Sequence, residues 1–283
     1  MAQEMIVAPP RRDSLMRAIR NFPAAPMILS RLGQLVRDLE TPLDDIASLL
    51  KQDAALTARI LRVANSIMYR VGEPSASLDE AVVRVGFTEV YRLAGFAAAA
   101  QIVDRRLSLY GVSAAQFREN ALLTALIMEQ LARRAALDQA TAYTVGLLRS
   151  VGKIALDRWV EPSGADRDYE SHGHGPLADW ETANLGMNNC EAADIIMKDW
   201  LFPEVCIEAI REHYLPPETL PMANLLNLAA GASERSGHGW PGERFYWEQP
   251  EGPFEVTSLG PDDVHEATLV ALEKFGPVRA AVG

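Results

Sequence analysis

Few side chains in this sequence are suited to holding a metal or attacking a bond. His172 and His174 lie one residue apart in a polar, glycine-containing stretch over residues 161–175. Imidazole nitrogens so placed can share a metal ion, although such a pair in a loop is more often simply solvated. Cys190 and Cys206 with His213 suggest a thiol nucleophile, but no activating arrangement is visible around either cysteine. Both cysteines fall in helical segments and read as buried thiols, and two cysteines at this spacing make neither a metal finger nor a disulfide framework. His213 reads as a hydrogen-bonded histidine at a helix end. Residues 231–242 contain glycines but lack the Lys-Ser/Thr ending and the preceding strand of a phosphate cradle.

The elements that must position these residues read as helices. Residues 141–158, TAYTVGLLRSVGKIALDR, place Val145, Leu148 and Val151 at helical spacing, while Gly146 and Gly152 let neighbouring backbones approach. This stretch is expected to be one central helix, entered near Gln139. Before it, Ser113 and Gln116 form a capping box that opens a helix to about Ala136, with Phe117, Leu122, Leu126 and Leu131 apolar. Earlier helices are expected from Asp13, with Leu15 and Ile19, and from Pro26, with Ile28, Leu32, Leu35 and Leu39. Two more follow from Thr41-Pro42-Leu43-Asp44 and from Asp53, the latter burying Leu56, Ile60 and Val63. Ser77 and Glu80 make a second capping box; Gly86 ends that helix and Thr88 begins a longer one through the small residues 94–100. Later helices fall at 177–185, 190–200, from Pro203 to His213, at 221–234 and at 262–275.

Residues 236–261 show no period and carry Trp240, Phe245, Tyr246, Trp247 and Phe254. A loop beyond about 15 residues without structure of its own is uncommon. It reads as an irregular strap, with two uses open: its aromatics pack on the domain, or Trp240, Phe245 and Trp247 form a partner surface.

The net charge is −11. That is the wrong sign for a general nucleic-acid binder, which needs a basic face, and for docking on an anionic membrane. Arg11, Arg12, Arg17 and Arg20 read as a solvated helix face. No apolar run suits a signal peptide or approaches the roughly 20 residues of a membrane span, so the cytoplasm is the expected location. Hydrophobic residues at 48% allow a large core.

Three separated segments carry a family resemblance: FPAAP at 22–26, QDAALTARILRVANSIMY at 52–69 and SLDEAVVRVGFTEVYRL at 77–93. Together they resemble the HDOD family, helical bacterial domains related to the HD superfamily of metal-dependent phosphohydrolases. The signature is carried by Arg59, Asn65 and Ser66; Ala54 stands where proline is common, and a helix N-terminus tolerates that. Asn65 is also the kind of residue that ends a helix and hydrogen-bonds local backbone. The central stretch resembles the HD helix, with Gly146-Leu147-Leu148 and Gly152-Lys153 present but Arg149-Ser150 in place of His-Asp.

Carried over by that resemblance, the metal positions fall at Asn120, Arg149, Ser150, Asn189 and His213, so one plausible ligand remains. Arg149 does not lose its proton, and it would repel a divalent ion about 4 Å away by roughly 8 kcal/mol at an effective dielectric of 20. The resemblance therefore implies an all-α, two-lobed HDOD/HD-like bundle: lobes at about 13–110 and 112–235, then a strap and terminal helix over 236–283. It implies a non-enzymatic signalling module with protein partners in a bacterial pathway, often near cyclic-dinucleotide signalling. No catalytic residue, cofactor or metal is expected. The rival is a divergent metal-dependent phosphohydrolase acting on nucleotides or cyclic dinucleotides; a nucleic-acid binder is a third reading, opposed by the charge.

Overall fold

Local signals in the sequence set most of the helix ends in the computed structural model, which describes residues 10–20, 31–32, 48–51, 54–65, 74–75, 77–103, 105–161, 168–169, 175–248 and 250–282. In chain order the helices are α1 (Arg12–Ala18), α2 (Ala54–Ala64), α3 (Leu78–Val85), α4 (Phe87–Ile102), α5 (Ala114–Arg134), α6 (Gln139–Leu148) and α7 (Val151–Val160). They continue as α8 (Leu177–Leu185), α9 (Asn189–Asp199), α10 (Glu204–Glu212), α11 (Pro221–Ser233), α12 (Glu251–Thr257) and α13 (Pro261–Val282). Among the described residues there is no strand, only an isolated antiparallel bridge between Leu107 and Val112. The fold is all-α.

The expected caps form. Ser113 accepts from the Gln116 amide while Gln116 accepts from the Ser113 amide, satisfying two donors that a helix start leaves open. Ser77 accepts from the Glu80 amide, and Asn188 with Glu191 closes a further capping box at α9. Helix α5 is the axis of the molecule, with α6, α11 and α13 packed around it. The α6 contact is close because of Gly146: a side-chain carbon there would lie 2.6 Å from the Ala125 Cα. Gly152 does the same for α7 against α9, where an added carbon would meet the Asn189 carbonyl at 1.8 Å. The main apolar core runs from Leu15 to Phe275, a smaller cluster joins Cys190, Tyr214, Ala230 and Trp247, and no described helix is long and apolar enough to cross a membrane.

Two expectations are corrected. The central stretch is not one helix: α6 stops at Leu148, Ser150 leaves helical geometry at φ −100°, ψ 13°, and α7 restarts at Val151. Both residues tolerate helix, so the break has no local cause; it goes with the buried bonds that Arg149 and Lys153 make, described below. Nor is the strap irregular throughout. A turn at Glu234–His238 with Gly237 left-handed at φ 84°, a 3-10 turn (Arg244–Tyr246) and α12 occupy it, and α13 starts at Pro261 and runs past residue 275.

Arg11, Arg12, Arg17 and Arg20 are exposed, and Arg12 pairs with Asp199. Asn65 follows α2 and clamps the chain ten residues on: its Nδ2 donates to the Ser75 carbonyl at 2.9 Å and its Oδ1 accepts from the Ser75 amide at 2.6 Å. The expectations placed on Ile28, Leu35, Leu39, residues 41–44, Asp53, Ser66, His172 and His174, and on the side chains of Leu56, Arg59 and Val63, lie outside the described residues.

Candidate functional site

Asn120 on α5, Arg149 and Ser150 between α6 and α7, Asn189 at the start of α9 and His213 after α10 are all buried and belong to one polar cluster. The close packing at Gly146 and Gly152 draws α5, α6, α7 and α9 together around it. What organises the cluster is a residue the sequence reading did not single out, Glu243, which the strap delivers from 94 positions beyond Arg149.

The Glu243 carboxylate is 1% exposed and receives four donors. The Arg149 guanidinium grips it bidentately, at 3.1 Å through Nη1 and 2.9 Å through Nη2. The Lys153 ammonium lies 2.7 Å away and the Tyr214 hydroxyl donates at 2.7 Å. Burial alone would push this carboxyl up, but Arg149 and then Lys153 hold it well below the usual carboxylate range. The same pairing raises Arg149 against its own desolvation. Arg149 Nη2 also donates to the Asn120 oxygen at 3.1 Å, which takes a second bond from the Trp240 indole at 2.9 Å.

Lys153 completes its shell with the oxygens of Asn189 (3.3 Å) and Ser150 (3.5 Å), and lies 4.9 Å from the centre of the Trp240 ring. A second buried acid, Glu181 on α8, stands behind it. Its carboxylate accepts from Tyr110 and from both nitrogens of Asn189, each at 2.7 Å. Burial nevertheless outweighs Lys153 and these donors, and its pKa is pushed up to about 7.

His213 is the one imidazole of the group. Its Nδ1 lies 2.7 Å from the Ile210 carbonyl, which assigns the proton to Nδ1 and leaves Nε2 facing Arg149 at 3.5 Å. Burial and then the Arg149 charge lower its pKa to about 3, so it is neutral. Cys190 Sγ sits 3.8 Å from the same Nδ1. Burial raises that thiol well above its usual range, so Cys190 is not an activated nucleophile. Cys206 is likewise buried.

The donor set does not fit a divalent cation. Two cations already face the centre, the Glu243 carboxylate is committed to them, and the Asn120 and Asn189 oxygens are bonded to Arg149 and Lys153. Among the described residues no group of three His, Cys, Asp or Glu side chains is placed to hold a metal ion.

Of the two uses left open for Trp240, Phe245 and Trp247, packing on the domain fits the two tryptophans. Trp240 is 3% exposed, edge-on to Tyr110 and Phe117, and Trp247 is 6% exposed and stacked on His213. Their area is used inside the domain. Phe245 alone faces outward, at 46%. The sequence reading missed Lys153 as a cluster member, as well as Glu181 and Glu243; Tyr214 was carried over beside His213 by the family resemblance. Arg149 was the one usable signal, since a buried guanidinium requires an acid to pair with.

The class of protein that the fold and site define is an all-helical bundle with a buried polar cluster at the meeting of α5, α6, α7 and α9. Within that class, the HDOD domain model matches residues 22–216, and the chain belongs to the HDOD family. A solved HDOD domain protein of unknown function from Geobacter sulfurreducens is 19% identical, with a TM-score of 0.67 over 96% of this chain and 97% of that one. A structure from Shewanella amazonensis SB2B, provisionally assigned as a phosphohydrolase, is 22% identical with a TM-score of 0.64, over 95% and 98%. One from Marinobacter aquaeolei VT8, provisionally assigned to signal transduction, is 23% identical with a TM-score of 0.71, over 96% and 65%. An uncharacterized protein of Treponema pallidum (strain Nichols) is 26% identical over 219 residues, which span 72% of this chain and 41% of that protein.

Proposed function

We propose that this chain is a non-enzymatic regulatory module that acts through protein contacts, and that its buried polar cluster is a degenerate HD metal site turned into a structural lock. The observation that carries this reading is the Glu243 carboxylate bound between Arg149 and Lys153. A fixed guanidinium at the position of a metal ligand repels a divalent ion, and the internal carboxylate supplies the countercharge that the guanidinium requires. The lock also ties the strap to the four helices that meet at the cluster, so a signal that moves the strap is transmitted to the bundle. The relative assigned to signal transduction agrees with a regulatory role.

Metal analysis of the purified full chain, with hydrolysis of a generic phosphodiester in the presence of manganese, tests the reading. The expected result is substoichiometric divalent metal and turnover no higher than the blank. Stoichiometric iron or manganese with turnover that disappears on chelation would replace it with the phosphohydrolase reading.

A further inference from the structure

A groove of about 600 Å³ lies between the end of α11, the strap and one face of α13, with Trp247 separating part of its floor from His213. Its apolar floor is Ala232, Trp247, Phe254, Val264, Leu269 and Leu272. Leu269 and Leu272 are 50% and 37% exposed, whereas most large hydrophobic side chains among the described residues are buried. They do not belong to the core stripe of α13, which is Val264, Ala267, Ala271 and Phe275. At about 100° per residue, the groove stripe of Pro261, His265, Thr268, Leu269 and Leu272 is turned roughly a quarter-circle from that core stripe. The helix therefore carries a buried apolar face and a second, mixed face open to solvent on which Leu269 and Leu272 are the large apolar members.

The edges of the groove are acidic. Exposed Asp262, Glu266 and Glu273 occupy the next face of α13, exposed Glu251 and Glu255 lie on α12, and exposed Glu248 is in the lining. Against these six carboxylates stand Arg235 in the lining, Arg244 at 3.8 Å from Glu248 and Arg134 at 3.5 Å from Glu266. Lys274, one position past Glu273, is half-buried. From Pro261 to Leu272 the groove follows α13 for about 16 Å, three turns of a helix laid beside it.

We propose that this groove docks an amphipathic, basic helix of a partner protein, with that helix's apolar stripe on Leu269, Leu272 and Phe254 and its lysines or arginines over the acidic rim. The apolar floor supplies affinity and the rim supplies selectivity and association rate. Charge complementarity picks this occupant: a second copy of the chain, with net charge −11, would bring like charge to the rim. The proposal rests on the reading of the chain as a protein-contact module, but it concerns a surface that the metal and hydrolysis assays do not touch.

Fluorescence anisotropy on the full chain tests it with two labelled synthetic helices of about 18 residues, five turns. Both carry leucines at positions i, i+3, i+4 and i+7; one has lysines on the flanks and the other has glutamates there. The lysine helix is expected to bind and to weaken as salt is raised, and the glutamate helix is expected not to bind. The double variant Leu269→Asp/Leu272→Asp should weaken the lysine helix by at least about tenfold, the scale of losing anchor residues, with melting unchanged. The triple variant Asp262→Lys/Glu266→Lys/Glu273→Lys changes exposed positions only and should move the preference to the glutamate helix. Equal, salt-insensitive binding of both helices, or binding of neither, overturns the proposal. So does a concentration-dependent dimer abolished by the Leu269→Asp/Leu272→Asp change, which would give the groove to a second copy. Any of these results alongside metal-free, inactive protein leaves the regulatory reading standing without this groove.

Discussion

Glu243 carries an unusual load for one side chain. Placing two cations and a carboxylate where almost no water reaches costs several kcal/mol per ion unless every charge is answered. Arg149 and Lys153 are answered by the same carboxylate, so the consequences of deletion are unequal. Arg149→Met leaves a one-to-one pair of Lys153 with Glu243 and strands no charge, so it should cost less than the roughly 3–5 kcal/mol of a variant that leaves a buried charge unpaired. Glu243→Ala leaves two buried cations facing each other and should cost more than Arg149→Met. Urea denaturation of both variants gives the ranking, and a smaller loss for Glu243→Ala would show that Glu243 is not the centre of the cluster. At this scale, the meeting of Asn120, Arg149, Asn189 and His213 was legible only through the family resemblance, which carries these positions over together as one site. Glu243 was not, because nothing in an aperiodic stretch says which of its acids turns inward; only the need of a buried guanidinium for an acid pointed toward one.

Helix packing and the strap form the next scale. Gly146 and Gly152 read correctly as close-approach positions, since only backbone fits where Ala125 and Asn189 lie. The interruption between α6 and α7 did not read, because arginine and serine both tolerate helix and the break satisfies long-range bonds rather than a local preference. The aromatics of the strap left two uses open, and burial separates them residue by residue. Trp240 packs on Tyr110 and Phe117, covers Lys153 and donates to Asn120. Trp240→Ala should therefore cost about 3–5 kcal/mol, as for other buried large aromatics. Phe245→Ala, at an exposed position, should stay within about 0.5 kcal/mol. Thermal melting of the two variants checks the contrast; equal effects would mean that the strap does not hold Trp240 in the core.

Stability of the whole molecule should record Glu243 and His213 with one sign and Glu181 and Asp157 with the other. Glu243 and His213 have lowered pKa values in the folded state, His213 to about 3 from the usual 6.5. Their contribution is present above their unfolded values and is lost as pH falls, because the unfolded chain then binds the protons more readily. Glu181 runs the other way. Its folded pKa of about 7 lies above the usual 4.5, so folding favours the protonated form and the contribution fades as pH rises through 7. Asp157, raised to about 6 chiefly by burial and opposed by the Leu109 amide and Arg105, adds to the same slope. These terms partly cancel in the native profile, so a comparison with Glu181→Gln isolates one of them. Glutamine can keep the neutral hydrogen-bonding role, accepting from Asn189 and donating to Tyr110. A shift from 4.5 to about 7 corresponds to about 3 kcal/mol at roughly 1.4 kcal/mol per unit. Between about pH 4.5 and 7 the native chain should lose that much stability relative to Glu181→Gln, measured by denaturant titration at several pH values, with the two curves parallel above pH 8. Curves parallel across the whole range would mean that Glu181 is ionised throughout, held by Lys153, Tyr110 and Asn189 against the cost of its burial.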